Sequence, residues 1–210
     1  MFHIPQWFVG FDSIMQIVES IIAFGVGYYA LKGYRLVKDR TLFFLHFSFI
    51  LLGVGLLTDG IVSMPALAFR GFSPVMAMGY FIRIIAEIIA YGLLLFAYLR
   101  QTRSFMADTA LLTTVAYPFA LFEILQYHPL LEITVFFLIA FIAAQAAMNY
   151  AVRKDKNSLL VLIAFVLLAI SHVFFILPPF ITVFFVIAHL TQLFGFLALL
   201  AMLLRVTGTK

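Results

Sequence analysis

Apolar residues run along this chain in seven long stretches, separated by short polar or proline-containing segments. A helix needs about 20 mostly apolar residues to cross a bilayer, and every stretch reaches that length. The approximate bounds of the stretches are 12–34, 42–63, 75–99, 107–126, 129–151, 158–177 and 180–205. The pattern predicts an all-α polytopic membrane protein, with a single seven-helix transmembrane domain over residues 1–210.

Prolines mark two of the boundaries between these stretches. Only residues 126–128 separate the fourth stretch from the fifth, and Pro129 suits the first turn of a new helix, where no backbone donor is needed. Pro178 and Pro179 separate the sixth stretch from the seventh. A connection this short makes those two helices antiparallel neighbours.

The basic residues between the stretches predict the orientation of the helices. Eleven of the 13 lysines and arginines follow the first, third, fifth and seventh stretches: Lys32, Arg35, Lys38, Arg40, Arg100, Arg103, Arg153, Lys154, Lys156, Arg205 and Lys210. The loops on the other side hold only Arg70. Because loops rich in lysine and arginine stay in the cytoplasm, the N-terminus is predicted outside and the C-terminus in the cytoplasm.

Two parts of the chain resemble each other. Lys38-Asp39-Arg40 and the apolar run 48–55 align without gaps on Lys154-Asp155-Lys156 and the run 164–171. In this alignment the first three helices match the last three, and the fourth connects them. Both triplets begin outside, so the hypothesis is a 3+1+3 parallel repeat, a plan that small transporters use. Chance similarity between apolar helices is the alternative.

Composition supports the membrane assignment and narrows the classes of function. Of the 210 residues 65% are hydrophobic and 10% are charged, whereas about a quarter of a typical soluble chain is charged. The net charge of +4 and the pI near 9.4 come from residues between the apolar stretches, so we expect no nucleic-acid partner. The lipid bilayer of the cell membrane is the predicted partner. The absence of cysteine excludes disulfides and thiolate metal sites, and residues 1–10 lack the features of a cleaved signal peptide.

Polar and ionisable side chains inside the apolar stretches are the candidates for function, because each buried charge in a bilayer is costly. Seven of them define a predicted ligand or ion cavity: Glu19, Asp59, Arg83, Glu87, His172, His189 and Gln192. All seven lie near the midplane or in the outer half, over a mostly apolar cytoplasmic half. The sequence therefore predicts an acid-rich polar cavity that opens outward.

Helical spacing places several of these side chains on common faces. The polar residues of the first helix and of the third helix each form one stripe: Asp12, Gln16, Glu19 and Ser20, then Tyr80, Arg83, Glu87 and Tyr91. Arg83 and Glu87 are four residues apart, which predicts an ion pair. Polar stripes against lipid are unfavourable, so these faces should point into the bundle.

The ionisable residues also have structural interpretations. Asp59, Glu123 and Glu132 lie close enough to the outer interface to be simply solvated. The pair formed by Arg83 and Glu87 can join two helices. The histidines can do the same by hydrogen bonding to neighbouring helices.

Three comparisons with known membrane families constrain cofactors and metals. Seven helices in this orientation are similar to retinal proteins, but those need a lysine midway along the last helix, and Lys32 at a cytoplasmic end is the nearest to a span. Retinal is therefore excluded, and we expect no cofactor. The 3+1+3 plan resembles the sugar-transporting SWEET family in architecture only, because no proline–glutamine motif occurs in the first or fifth helix.

The third comparison is with the seven-helix membrane hydrolases that bind zinc. The chain resembles them in placing histidines and acids on several helices, but their HxxxH pair is absent, since Leu193 follows His189 by four residues. Histidine and carboxylate groups ligate zinc, so His172, His189 and Glu87 are candidate metal ligands, with Glu19 as an alternative carboxylate.

Three classes of function fit these features. The first is a receptor, sensor or partner subunit that binds a ligand in the outer cavity and signals through a membrane or cytoplasmic protein partner. The second is a carrier for protons, a cation or a small solute, which needs a polar route past Gln145, Asn149 and His46 in the inner half. The third is a metal-dependent membrane enzyme. The first, non-enzymatic class is the prediction from sequence.

Overall fold

The computed structural model describes residues 6–64, 74–102, 129–177 and 182–208. These residues form six α-helices and no strand. The helices are α1 (Gln6–Val37), α2 (Arg40–Ser63), α3 (Pro74–Thr102), α4 (Pro129–Arg153), α5 (Lys156–Ile176) and α6 (Thr182–Gly208). The predicted span 107–126 lies outside the described residues.

All six described helices are long and apolar enough to cross a membrane. Large apolar side chains such as Ile21, Phe141 and Phe194 stay more than half exposed on the outer surface of the bundle. A surface of this kind suits lipid rather than water, so the structure is that of a multi-pass membrane protein. Most of the helices begin or end a few residues beyond the predicted spans, because a helix continues past its most apolar segment.

The described helices form a closed ring, in which each packs against the next along the chain and α6 packs against α1. Four helices, α1, α3, α4 and α6, run in one direction, and α2 and α5 run in the other. Exposed basic residues occur where the four end, including Lys38, Arg100, Arg153 and Arg205. We call this end of the bundle the basic end.

The two neighbouring helices α3 and α4 are parallel. In their first halves Arg83 of α3 contacts Glu132 of α4, and near their last turns Tyr98 and Asn149 line the same cavity. Residue 102 and residue 129 therefore lie at opposite ends of the bundle.

Two turns at the basic end have the same construction. Lys38 and Lys154 adopt left-handed backbone angles (φ 60° and 51°), and each donates its backbone N–H to a tyrosine carbonyl four residues earlier at 2.8 Å. The next residue, Asp39 or Asp155, caps the following helix with its carboxylate. Hydrogen bonds from the backbone and hydroxyl of Ser158 hold the pKa of Asp155 below its ordinary value.

Glycines let the helices approach closely at the ring contacts. At Gly55 of α2 an added Cβ would stand 2.6 Å from the Cβ of Ala86 and 3.3 Å from the Cα of Arg83, on α3. At Gly195 of α6 it would stand 2.9 Å from Leu168 of α5. Small residues of this kind bring helix backbones together in membrane proteins. The crossing at Gly55 fixes the position of Arg83.

Gly55→Ala should lower the free energy of unfolding by about 1–3 kcal/mol, because the new methyl group overpacks a contact between two backbones. Gly25→Ala is the matched control, since its added Cβ would meet only Leu200 at an ordinary 3.7 Å. Thermal unfolding of the purified protein in detergent compares the two variants. Equal midpoints would contradict the tight crossing of α2 and α3.

Candidate functional site

Arg83 is buried in the ring and ion-paired with three carboxylates from three helices. Its Nη1 donates to Glu87 Oε1 at 2.8 Å, and its Nη2 donates to Glu132 Oε1 at 3.1 Å. Its Nε lies 3.2 Å from Asp59 Oδ2, which is an ion pair without the alignment of a hydrogen bond. The guanidinium thus joins α2, α3 and α4.

The local sequence explains why Asp59 and Glu87 reach the arginine. Asp59 lies one helical turn from Gly55, the residue at which α2 crosses the backbone of Arg83. Glu87 is four residues from Arg83 and therefore projects from the same face of α3. Ser63 donates to Asp59 Oδ1 at 3.2 Å and helps to hold this carboxylate.

Glu132 is shared between Arg83 and a histidine. Its second oxygen, Oε2, lies 2.8 Å from His172 Nδ1 of α5, and Tyr80 donates to Oε1 at 3.4 Å. Glu132 is only the fourth residue of α4, yet neither its side chain nor that of His172 is exposed. We call Asp59, Arg83, Glu87, Glu132 and His172 the Arg83 cluster.

A second cluster lies between α1 and α6. His189 is enclosed by two carboxylates, with Nδ1 3.0 Å from Glu19 Oε1 and Nε2 3.0 Å from Asp12 Oδ1. Gln16 donates to Asp12 Oδ1 at 2.8 Å. Glu19 and His189 are buried, whereas the Asp12 side chain is 18% exposed. We call Asp12, Gln16, Glu19 and His189 the His189 cluster.

The two clusters meet at one aromatic side chain. The buried ring of Phe175 lies 5.7 Å from the ring of His172 and 5.0 Å from that of His189, measured between centroids. The guanidinium carbon of Arg83 lies 5.8 Å from the centroid of the same ring. Phe175 therefore contacts both clusters with an apolar surface.

The clusters contain more negative than positive charge. Within the described residues, four carboxyl groups are buried, those of Glu19, Asp59, Glu87 and Glu132, and the buried permanent cation is Arg83. Even with His172 and His189 both protonated, one negative charge is left over. Because an uncompensated buried charge is expensive by several kcal/mol, the site needs additional protons or a bound cation.

Several polar atoms around the clusters have no hydrogen-bond partner among the described residues. They are Glu19 Oε2, Glu87 Oε2, His172 Nε2, the Tyr91 hydroxyl and both amide atoms of Gln192. All five of these side chains are buried. Buried polar atoms are nearly always hydrogen-bonded in proteins, so an unpaired group here indicates a place for a ligand, an ion or water.

A cavity of 270 Å³ lies at the basic end, away from both clusters. It extends between the two similar turns, where Asp39 and Asp155 contribute to its wall. Tyr98, Asn149 and Arg153 line it along the helices. Polar and apolar side chains both line this space, which lies in the half of the bundle that the sequence predicts to be mostly apolar.

The structure places the predicted cavity residues in two groups. Asp59, Arg83, Glu87 and His172 lie in the Arg83 cluster, while Glu19 and His189 form part of the other cluster. Gln192 is buried without a hydrogen bond. The Arg83–Glu87 ion pair agrees with the four-residue spacing.

Two structural interpretations of the acids are wrong. Asp59 and Glu132 are not solvated, because their helices bring them against Arg83 and bury them. Glu123 lies outside the described residues. Glu132 and Asp12 are site residues that were not among the predicted cavity residues, although Asp12 lies in the polar stripe of the first helix that was predicted to face the bundle. The signal for Glu132 was its place in a stripe with Val135 and Ile139, both fully buried.

The candidate metal ligands are also divided. Glu87 and His172 lie together, joined by Glu132. His189 belongs to the other cluster and contacts Glu19.

Comparisons of the chain with protein-family models, with curated proteins and with solved structures give no match. The functional argument therefore depends on the geometry and charge of the two clusters.

Arg83→Gln should lower the free energy of unfolding by about 3–5 kcal/mol, because it leaves carboxylates buried without their counter-charge. Glu132→Gln in the same chain should offset part of this loss by removing one of those carboxylates. Chemical unfolding of the two single variants and the double variant in detergent gives the coupling free energy. Additivity within about 0.5 kcal/mol would contradict the ion pair. Arg40→Gln, an exposed arginine at the basic end, is the control and should change stability little.

Proposed function

We propose that this protein is a seven-span cation carrier, in which buried carboxylates and histidines bind a proton or a metal ion on its way through the membrane. The proposal has two parts, the arrangement of the chain in the bilayer and the chemistry of the cluster. Each part has its own support.

The parallel course of α3 and α4 supports a seventh span. Residues 102 and 129 lie at opposite ends of the bundle, and the apolar stretch 107–126 between them is long enough to cross a bilayer. An odd number of spans with the basic end in the cytoplasm gives an outside N-terminus and a cytoplasmic C-terminus. The clusters then lie in the outer half.

Two observations support a parallel repeat of α1–α3 and α4–α6. The turns at Lys38 and Lys154 have matching backbone angles, hydrogen bonds and caps. The direction of the helices within each triplet is also the same. We propose that the two triplets are related by an axis along the membrane normal, which is a plan that carriers use to alternate access.

The surplus of buried negative charge is the observation that carries the cation proposal. The four buried carboxyl groups of the two clusters leave at least one negative charge beyond Arg83, His172 and His189 unless a further proton or cation joins them. A proton or a metal ion meets this need, whereas a neutral solute does not. Ionisable groups in membrane spans mark ion paths and proton relays in general.

Three buried polar side chains between the clusters and the cavity at the basic end are the support for transport over binding alone. Ser48 and Tyr91 are buried side chains that lie one turn beyond Leu45 and Leu94 of the cavity wall, on the side of the clusters. Gln192 is a third buried polar side chain on α6. These residues, rather than Gln145 or His46, are the proposed steps between cavity and clusters.

The other two classes of function, a receptor or partner subunit and a metal-dependent enzyme, assign other roles to the same residues. A receptor, sensor or partner subunit needs an outer pocket for its ligand, and a metal-dependent enzyme needs a substrate beside the metal. The ionisable groups of the described residues pair with one another across helices, which favours a small ion over a larger ligand. The carrier is therefore our preferred function, and the other two are outcomes of its test.

Single cysteines test the arrangement in the membrane, because the chain has none of its own. Arg40→Cys and Lys156→Cys should react with a membrane-impermeant maleimide only after the cells are permeabilised. Arg70→Cys, on the other predicted side, should react in intact cells. The reverse pattern, or labelling of all three in intact cells, would exclude the proposed orientation.

Flux into proteoliposomes tests the carrier. With an inward cation gradient, vesicles with the protein should acidify or take up Mn²⁺ faster than protein-free vesicles, because the cluster offers the ion a site inside the bilayer. Glu87→Gln removes one carboxylate at almost the same volume and should reduce this rate by about tenfold or more, equivalent to at least 1.4 kcal/mol. Lys156→Gln, an exposed residue at the basic end, should keep the rate. Wild-type flux equal to that of protein-free vesicles for both ions would refute the carrier and favour a receptor or partner subunit.

A further inference from the structure

We propose that Glu87, Glu132 and His172 form a binding site for one divalent transition-metal ion, with zinc as the best match. Each residue offers one ligand atom, and the three atoms all lie within 4.8 Å of one another. The residues come from α3, α4 and α5, and all three are fully buried. This inference deepens the proposed function, because it names the class of cation that the cluster holds.

The donor set is selective for a transition metal. One imidazole nitrogen with two carboxylate oxygens is a ligand set that zinc accepts in proteins. Magnesium and calcium prefer oxygen ligands alone, so the histidine disfavours them. The absence of thiolates in this chain disfavours copper(I) in the same way.

Unpaired atoms at the site are an independent observation that indicates a ligand. Glu87 Oε2 and His172 Nε2 have no hydrogen-bond partner among the described residues, although both side chains are fully buried. The Tyr91 hydroxyl is also unpaired, and the Tyr91 ring contacts that of His172 edge-on at 6.3 Å. Glu87 and His172 thus each carry an unsatisfied polar atom.

The charge of the Arg83 cluster matches a divalent ion. With His172 neutral, three carboxylates and one guanidinium leave a formal charge of two negative units. Arg83 binds Oε1 of Glu87 and Oε1 of Glu132, which leaves the second oxygen of each carboxylate for another partner. Glu87 Oε2 has no partner among the described residues, whereas Glu132 Oε2 lies 2.8 Å from His172 Nδ1. A metal ion at this site therefore takes the place of the proton between Glu132 and His172. The arginine therefore positions both carboxylates.

The spacing requires only a small movement to hold zinc. Ligand atoms about 2.0–2.2 Å from zinc are roughly 3.4 Å apart in a tetrahedral site. Side-chain rotations that shorten the largest separation from 4.8 Å by about 1.4 Å bring the three atoms to that distance. A water molecule would complete the fourth position of the tetrahedron.

The His189 cluster does not offer a comparable site. Both ring nitrogens of His189 face carboxylate oxygens at 3.0 Å, so neither has a lone pair directed at an ion. An imidazolium that donates to Glu19 and Asp12 satisfies this arrangement. The two histidines therefore differ, because both ring nitrogens of His189 face carboxylates, whereas His172 has one nitrogen at Glu132 and the other, Nε2, without a partner among the described residues.

Metal binding to the purified full-length protein tests the site without any measurement of transport. The protein carries a tag without histidine, is stripped with a chelator and is then titrated with Zn²⁺ in detergent. Elemental analysis should give one zinc per chain. Glu87→Gln and His172→Gln should each weaken zinc binding by more than the roughly 10–100-fold that loss of an outer-shell partner costs.

Matched controls separate this site from other histidines and acids. Asp39→Asn removes an exposed carboxylate at the basic end, and His46→Gln removes a histidine that bonds to the Gly27 carbonyl at 2.9 Å. Both should bind one zinc with the affinity of the wild type. Loss of binding in His46→Gln, or full binding in folded Glu87→Gln and His172→Gln, would overturn the assignment.

X-ray absorption of the zinc-loaded wild type tests the ligands even if a variant fails to fold. The spectrum should show a single imidazole, with oxygen atoms as the remaining ligands at about 2.0–2.2 Å. No imidazole, two imidazoles, or less than one zinc bound for every five chains would overturn the inference. Zinc binding without flux would keep this site and refute the carrier. Proton flux without zinc binding would keep the carrier and refute this site.

Discussion

The structure depends on one constraint, that carboxylates removed from water need a compensating charge. Arg83 meets this need for Asp59, Glu87 and Glu132 together, and so it connects three helices through a single guanidinium. Its own position is set by packing, because Gly55 lets α2 approach the backbone of Arg83 closely. The packing of α2 against α3 and the ionic contacts of Arg83 therefore depend on each other. A change in the spacing of α2 and α3 changes the ionic contacts, and a change in the charge of the cluster alters the force between the helices.

Much of the fold follows from local properties of the sequence. The lengths of the apolar stretches gave the six described helices within a few residues, and the turn residues Asp39 and Asp155 begin helices as their capping role requires. The Arg83–Glu87 pair followed from spacing along one helix. The burial of Glu132 could not be predicted, because a residue so close to the start of α4 was expected to be exposed. Its burial comes from Arg83 and His172, which are 49 and 40 residues away in sequence.

The division of the site into two clusters could not be predicted from the sequence for a related reason. His172 and His189 lie at similar depths on adjacent helices, so depth alone places them together. Their helices are apolar on every side, and an apolar pattern without a polar face does not reveal in which direction a given side chain points. The structure turns His172 toward Glu132 and His189 toward Glu19 and Asp12. Direction around a helix axis, rather than position along it, decides which acid each histidine meets.

The phenyl ring of Phe175 has a consequence for how the two clusters exchange charge. A proton moves between side chains along donors and acceptors, and a benzene ring offers neither. Where the clusters meet, the ring contacts both histidines, so a direct relay from one imidazole to the other is interrupted there. The clusters are connected elsewhere, because Gln16 hydrogen-bonds both to Asp12 and to Asp59. Any exchange of protons between the two histidines therefore has to bypass the Phe175 ring or displace it.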